Sequence, residues 1–230
     1  MEKIVGILGG MGPAATVDML QKFVDHTPAT RDQEHIPILV SSIPTIPDRS
    51  ASILGDGPSP LPAMQEYTQR LVQGGAKCIL IACNTAHYWD KALQAQCPVP
   101  IFSMLETAAE AALNLNATQI GVLASTATIE KGLYRRELEK RGLHCIEPDP
   151  YNQKAVWESI CALKAGDLPK ARTLMQHQKE LLFQKGAEVI ILGCTEIPII
   201  LAQEAAETPH RYIDATLTLV QRAIAWYKEK

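Results

Sequence analysis

Short apolar runs alternate along this chain with longer segments whose apolar residues recur every three or four positions. The runs Lys3–Leu8, Ile36–Ser41, Cys78–Ala82 and Val99–Phe102 predict strands, and the periodic segments Ala14–His26, Leu61–Gly74, Thr85–Gln96 and Ser103–Leu115 predict helices. Residues 43–62 are rich in proline and predict a long loop, of the kind that often carries binding groups. The rhythm then starts again. Strands are predicted at Gln119–Leu123, His144–Ile146, Val189–Leu192 and Tyr212–Ile213, and helices at Ile129–Arg141, Gln153–Ala165, Leu168–Lys185, Ile197–Glu204 and Ala215–Glu229. Strands that alternate with helices imply parallel sheets covered on both faces, an α/β fold.

The restart is written in the residues as well. Gly75-Ala76-Lys77-Cys78-Ile79-Leu80-Ile81-Ala82-Cys83 aligns without a gap on Gly186-Ala187-Glu188-Val189-Ile190-Ile191-Leu192-Gly193-Cys194, 111 residues later. Gly6-Ile7-Leu8 aligns on Gly121-Val122-Leu123, 115 residues later. Such self-similarity predicts two pseudo-symmetric α/β lobes, each a mostly parallel sheet flanked by helices, with an active site in the cleft between them. If the helix after each fourth strand crosses to the other lobe, lobe one is 1–102 plus 209–230 and lobe two is 103–208.

Charge and composition narrow the function. The net charge of -3 offers no basic excess for phosphates, so nucleic acid is a poor partner. No apolar run approaches membrane-spanning length, and the first residues do not read as an export signal, so a cytoplasmic location is expected. Six cysteines are then free thiols by default, and none forms a C-x-x-C pair of the kind that holds zinc.

Cys83 and Cys194 stand apart from the other four. They occupy equivalent repeat positions just past strand ends, the edge where open α/β sheets bind ligands. Each precedes a helix, whose amides would favour thiolate. Cys78, Cys97, Cys145 and Cys161 lie in or beside strands and helices and read as packing residues. Two thiols on opposite faces of a carbon suit proton removal on one side and return on the other, which inverts a stereocentre. The charge that develops on the carboxylate needs donors, and Asn84, Thr85 and Thr195 lie beside the two sulfurs. Gly9-Gly10-Met11-Gly12 and Ser125-Thr126-Ala127-Thr128 form the two turns after the first strand of each lobe. The glycine turn lacks the full dinucleotide fingerprint. Arg49 sits among prolines, with Asp48 a candidate partner, and suits a second carboxylate. Lys164 ends a helix, where dipole compensation is its commoner role. His87 suits a supporting place near Cys83.

At these residues the chain resembles the aspartate/glutamate racemase family, aspartate racemases in particular. The matching pieces are Gly6-Ile7-Leu8-Gly9-Gly10-Met11-Gly12-Pro13, Arg31-Asp32-Gln33-Glu34-His35, Ile46-Pro47-Asp48-Arg49, Cys83-Asn84-Thr85-Ala86-His87 and Gly193-Cys194-Thr195-Glu196. They run through most of the chain in family order. The resemblance implies a homodimer and racemisation without pyridoxal phosphate or any other cofactor or metal, with Cys83 and Cys194 as the catalytic pair. It implies substrate contacts from Met11, Arg49, Asn84, Thr85, Thr126, Thr128 and Lys164, the arginine and lysine holding carboxylates. Ser42-Ile43-Pro44 departs from the asparagines usual before that proline, and Ser125 and Ala127 from the usual threonine and glycine, which leaves aspartate against glutamate open. Two alternatives remain beside an aspartate or glutamate racemase: a related isomerase acting on maleate or hydantoins, and an amino-acid-binding protein without catalysis. Loss of one cysteine would have favoured the last, and both are present.

Overall fold

The computed structural model describes residues 3–229. They form two compact units: one runs to Met104 and resumes at Thr216, and the other is Leu105–Ala215.

In the first unit, β1 (Val5–Gly9), β2 (Ile38–Ser42), β3 (Cys78–Ile81) and β4 (Ile101–Phe102) make a parallel sheet in the order β2-β1-β3-β4. In the second, β5 (Gln119–Ala124), β6 (His144–Ile146), β7 (Val189–Gly193) and β8 (Tyr212–Asp214) repeat that order as β6-β5-β7-β8, again all parallel. The central strands β1, β3 and β7 are buried at every position, because helices cover both faces and leave no side that polar residues could occupy.

The register reproduces the repeat. Val5 pairs with Cys78 in the first sheet, and their repeat equivalents Ile120 and Val189 pair in the second. The shared glycines have a shared cause. A Cβ on Gly6 would sit 2.9 Å from Ala76 Cβ and 2.8 Å from Ile79 Cδ1. On Gly121 it would meet the equivalent Ala187 and Ile190 at 3.1 and 3.0 Å. Each unit has its own apolar core, one including Leu8, Ile79 and Ile81, the other Leu123, Ile190 and Leu192.

The C-terminal helix Ala215–Lys228 packs on the first sheet. Trp226 stacks edge-on against Phe102, and Lys3 Nζ donates to the Trp226 carbonyl at 2.8 Å. The return to the first unit comes later than residue 209, because Tyr212–Asp214 hydrogen-bonds to β7 as the fourth strand of the second sheet.

Four stretches differ from the sequence expectation. The stretch 43–62 contains the helix Arg49–Leu54, started by Asp48, whose side chain accepts from Ala51 N at 2.7 Å. Thr85–Gln96 divides into a 3-10 turn, Thr85–Trp89, and the helix Asp90–Gln94. Ile129–Arg141 is replaced by Thr126–Glu130 and Leu133–Glu139, parted at Gly132, whose φ of 57° no α-helix accommodates. Ile197–Glu204 likewise divides, into Ile197–Ile200 and Ala202–Glu207.

Candidate active site

In each sheet the chain steps outward to both sides from a central pair, β1 with β3 and β5 with β7. The carboxyl ends of those pairs are topological switch points, the places where open α/β sheets bind ligands. The residues singled out in the sequence fall at these two places.

In the first unit, β1 leaves the sheet through Gly10, at a φ of 88°. A Cβ there would lie 2.2 Å from Ile43 N, so only glycine lets this turn press against the start of the loop after β2. The next residue, Met11, is buried in one apolar cluster with Ile46 and Cys83. Arg49 reaches the same turn. Its Nη1 donates to the carbonyls of Ile46 and Pro47 at 3.0 and 2.9 Å, and its Nη2 to the Met11 carbonyl at 3.4 Å. The residue is only 8% exposed, and its buried Nε has no acceptor. Among the described residues no carboxylate pairs with it. Asp48, its neighbour in sequence, does not serve, because the cap geometry turns that carboxylate toward the Ala51 amide. The guanidinium is thus buried with carbonyl oxygens as its bonded partners.

Cys83 follows β3 and is 5% exposed, with Asn84 and Thr85 buried behind it. His87 is buried as well, and both of its nitrogens are engaged. Met104 N donates to Nε2 at 3.1 Å, so Nδ1 carries the proton and donates to the Cys83 carbonyl at 2.9 Å. Burial pushes its pKa below the ordinary histidine value, against smaller opposing effects from nearby carbonyls and Asp90. His87 is therefore a neutral clamp on the Cys83 turn, with no nitrogen left to activate the thiol. His87→Leu strands the Met104 amide and should cost about 1–3 kcal/mol. The folded pKa lies below that of the unfolded chain. The neutral imidazole's contribution is thus complete above about pH 6.5 and declines as pH falls further. Urea denaturation at pH 7.5 and 5.5 should show a steeper acid loss for wild type than for the leucine variant.

In the second unit, β5 is followed by Ser125, whose side chain caps the next helix by accepting from Thr128 N at 3.3 Å and donates to Thr128 Oγ1 at 3.0 Å. Gln153 Nε2 donates to the Ala124 carbonyl at 3.0 Å and to Thr126 Oγ1 at 3.4 Å. Ala124 pairs with Gly193 across the sheet, so the turn bearing Thr126 and Thr128 leaves beside the one bearing Cys194 and Thr195. Cys194 Sγ donates to Glu196 Oε2 at 3.0 Å, and Thr195 Oγ1 donates to the same oxygen at 3.2 Å. Lys164 Nζ lies 3.8 Å from Glu196 Oε1. The lysine thus ends its helix and also balances a carboxylate that is only 4% exposed.

This arrangement corrects one expectation. Burial first, and then the Glu196 carboxylate, push the Cys194 thiol well above its ordinary range, against a smaller pull from Lys164. The helix that follows, Ile197–Ile200, is a single turn, too short to offer much of a dipole, and an acid stands at its cap. Sequence reasoning assigned no task to Glu196, although an acid two residues beyond a strand-end cysteine was visible. It could not have found Tyr134, fully buried, whose ring lies against Gly193, the residue before Cys194. Of the four cysteines read as packing residues, Cys78 and Cys97 are buried, Cys145 is half-buried and Cys161 is exposed. Burial pushes Cys78 and Cys145 up to about 12, so neither competes as a nucleophile at neutral pH.

Among the described residues no helix is long and apolar enough to cross a membrane, and no group of three or more His, Cys, Asp or Glu could hold a metal ion.

Comparison with known proteins bears on both units. The aspartate racemase of Picrophilus torridus superposes with a TM-score of 0.90 at 29% identity, over 99% of this chain and 95% of that one. The broad specificity amino-acid racemase RacX of Bacillus subtilis is 27% identical over 97% of this chain and 98% of its own length. The glutamate racemase of Francisella tularensis shares the fold, with a TM-score of 0.71 at 18% identity over 98% of this chain and 80% of that one. The family model described as Asp/Glu/Hydantoin racemase matches residues 8–223, and the chain belongs to that family.

Proposed function

We propose that this amino-acid racemase inverts the α-carbon of aspartate by a two-base mechanism, with Cys83 and Cys194 acting on opposite faces. The observation that carries the proposal is their equivalence: each sulfur follows the third strand of its sheet, at the switch point, and closes a run that aligns on the other without a gap. One sulfur, as thiolate, removes the α-proton. The electron pair left behind spreads onto the α-carboxylate, which donors from Asn84, Thr85 and Thr195 stabilise. The other sulfur, as thiol, delivers its proton to the opposite face. Both proton steps are supplied by side chains, so the reaction requires no cofactor.

Arg49 supports a dicarboxylate substrate, since it is a buried cation with only carbonyl partners. Lys164 is a second cation for a carboxylate, and Met11, Thr126 and Thr128 complete the proposed lining. Family resemblance extends the proposal to a homodimer in the cytoplasm. Incubation of the purified protein with L-aspartate in heavy water, without added cofactor, tests the reaction. The α-proton NMR signal should disappear and D-aspartate should accumulate on a chiral column. Exchange with glutamate alone would change the substrate, and no exchange with either acid would remove the proposal.

A further inference from the structure

The mechanism needs each sulfur in a defined protonation state when substrate arrives, and the second unit contains a device for setting one of them. Burial and one carboxylate disfavour a negative sulfur at Cys194. Glu196, on its own turn, accepts the Sγ–H bond at 3.0 Å and is almost wholly buried. Tyr134, from the helix Leu133–Glu139, presses its ring against the preceding residue. A Cβ on Gly193 would meet Tyr134 Cε2 at 2.7 Å, so a glycine is required there. Lys164, closing the helix Pro150–Lys164, is the cation facing this group, 3.8 Å from the far oxygen of Glu196.

We propose that Glu196 is a positioning residue that shares one proton with Cys194: it keeps that sulfur a proton donor between turnovers and accepts its proton when Cys194 must act as base. The exchange is balanced within the pair. In the resting form the proton is on sulfur and the charge on the carboxylate, which Lys164 compensates. When an enantiomer presents its α-proton to Cys194, the S–H proton moves to Glu196 Oε2, and the thiolate so formed attacks. The free enzyme, with Cys194 protonated, is poised for the direction in which Cys83 is the base. The opposite direction requires the internal transfer together with a proton that Cys83 takes up from solvent before it acts as the donor. The proposal rests on the two-base reading, but its test needs no turnover.

The test is iodoacetamide labelling of the reduced protein between pH 6 and 10, with the Cys194 peptide followed by mass spectrometry. Exposed Cys161 serves as reference and buried Cys78 as a check that the fold is intact. In Glu196→Gln the negative neighbour is gone, so the Cys194 labelling curve should move to lower pH and labelling at pH 8 should rise about tenfold, one unit of titration. Glu196→Asp should stay closer to wild type. Racemisation by Glu196→Gln should lose kcat, with KM changed less than about twofold. Cys194 labelling curves that coincide in wild type and Glu196→Gln, with Cys78 protected in both, would overturn the proposal even if the enzyme racemises aspartate. A shifted curve in a protein inactive on every amino acid would uphold the shared proton and remove the two-base reading instead.

Discussion

Serine in place of Cys83, or of Cys194, should lower racemisation by about 10²–10⁴-fold, the span a positioned proton carrier contributes. A serine hydroxyl keeps the size and the hydrogen bonding of the thiol. Its much higher pKa leaves almost no anion to take an α-proton, and it returns one poorly. The two variants should fail to similar extents, because full inversion uses one sulfur as base and the other as acid in either direction. Folding should survive both changes, as each removes little volume from sites at strand ends. Steady-state racemisation by polarimetry, beside circular dichroism of each variant, makes the comparison. Near-normal turnover in either variant would sink the two-base mechanism, whereas loss of activity together with loss of the folded spectrum would require the milder Cys→Ala pair.

Arg49→Leu should weaken use of aspartate by about 10²–10³-fold in kcat/KM, the equivalent of roughly 3–4 kcal/mol for a buried charge pair that loses one partner. The physical ground is the present isolation of this guanidinium: it is 8% exposed, bonded to three carbonyls, and has an unbonded Nε. A cation held this way has lost its water on folding, so an arriving carboxylate meets little further desolvation cost at the guanidinium. Arg49→Lys should recover part of the loss, since a point charge remains but the planar fork does not. Succinate, a dicarboxylate without an α-amino group, should inhibit wild type far better than Arg49→Leu. Propionate should distinguish them little. Equal loss of both inhibitors would place Arg49 at the α-carboxylate, and no change in either would take it out of the site.

The value of these tests depends on how well a residue's chemistry can be separated from its structural task, and His87 shows the difference. From the sequence it is a histidine four residues beyond a candidate nucleophile, a spacing that could serve a catalytic dyad. In the folded chain Nε2 accepts from Met104 N and Nδ1 donates to the Cys83 carbonyl, so the ring shapes the turn and cannot take a proton from sulfur. Arg49 moved in the other direction. A proline-rich stretch made it look like a loop residue beside a ready counter-ion. The capping of the helix Arg49–Leu54 by Asp48 removed that counter-ion and buried the cation.

The sequence by itself determined the alternation of strands and helices, the doubling of one α/β unit, and the placement of two cysteines at equivalent strand ends. These are local or periodic properties. Burial on both faces writes a parallel strand as an unbroken apolar run, and close contacts with Ala76 and Ala187 require Gly6 and Gly121 wherever the unit recurs. What only the tertiary structure decided is the electrostatic character of each site. Glu196 lies beside Cys194 in sequence, but its buried carboxylate is balanced by Lys164 from another helix, and Tyr134 comes from a third segment. Desolvation and charge act through space over a few ångströms, so the protonation of Cys194 depends on which distant segments pack around it, and no spacing along the chain encodes that.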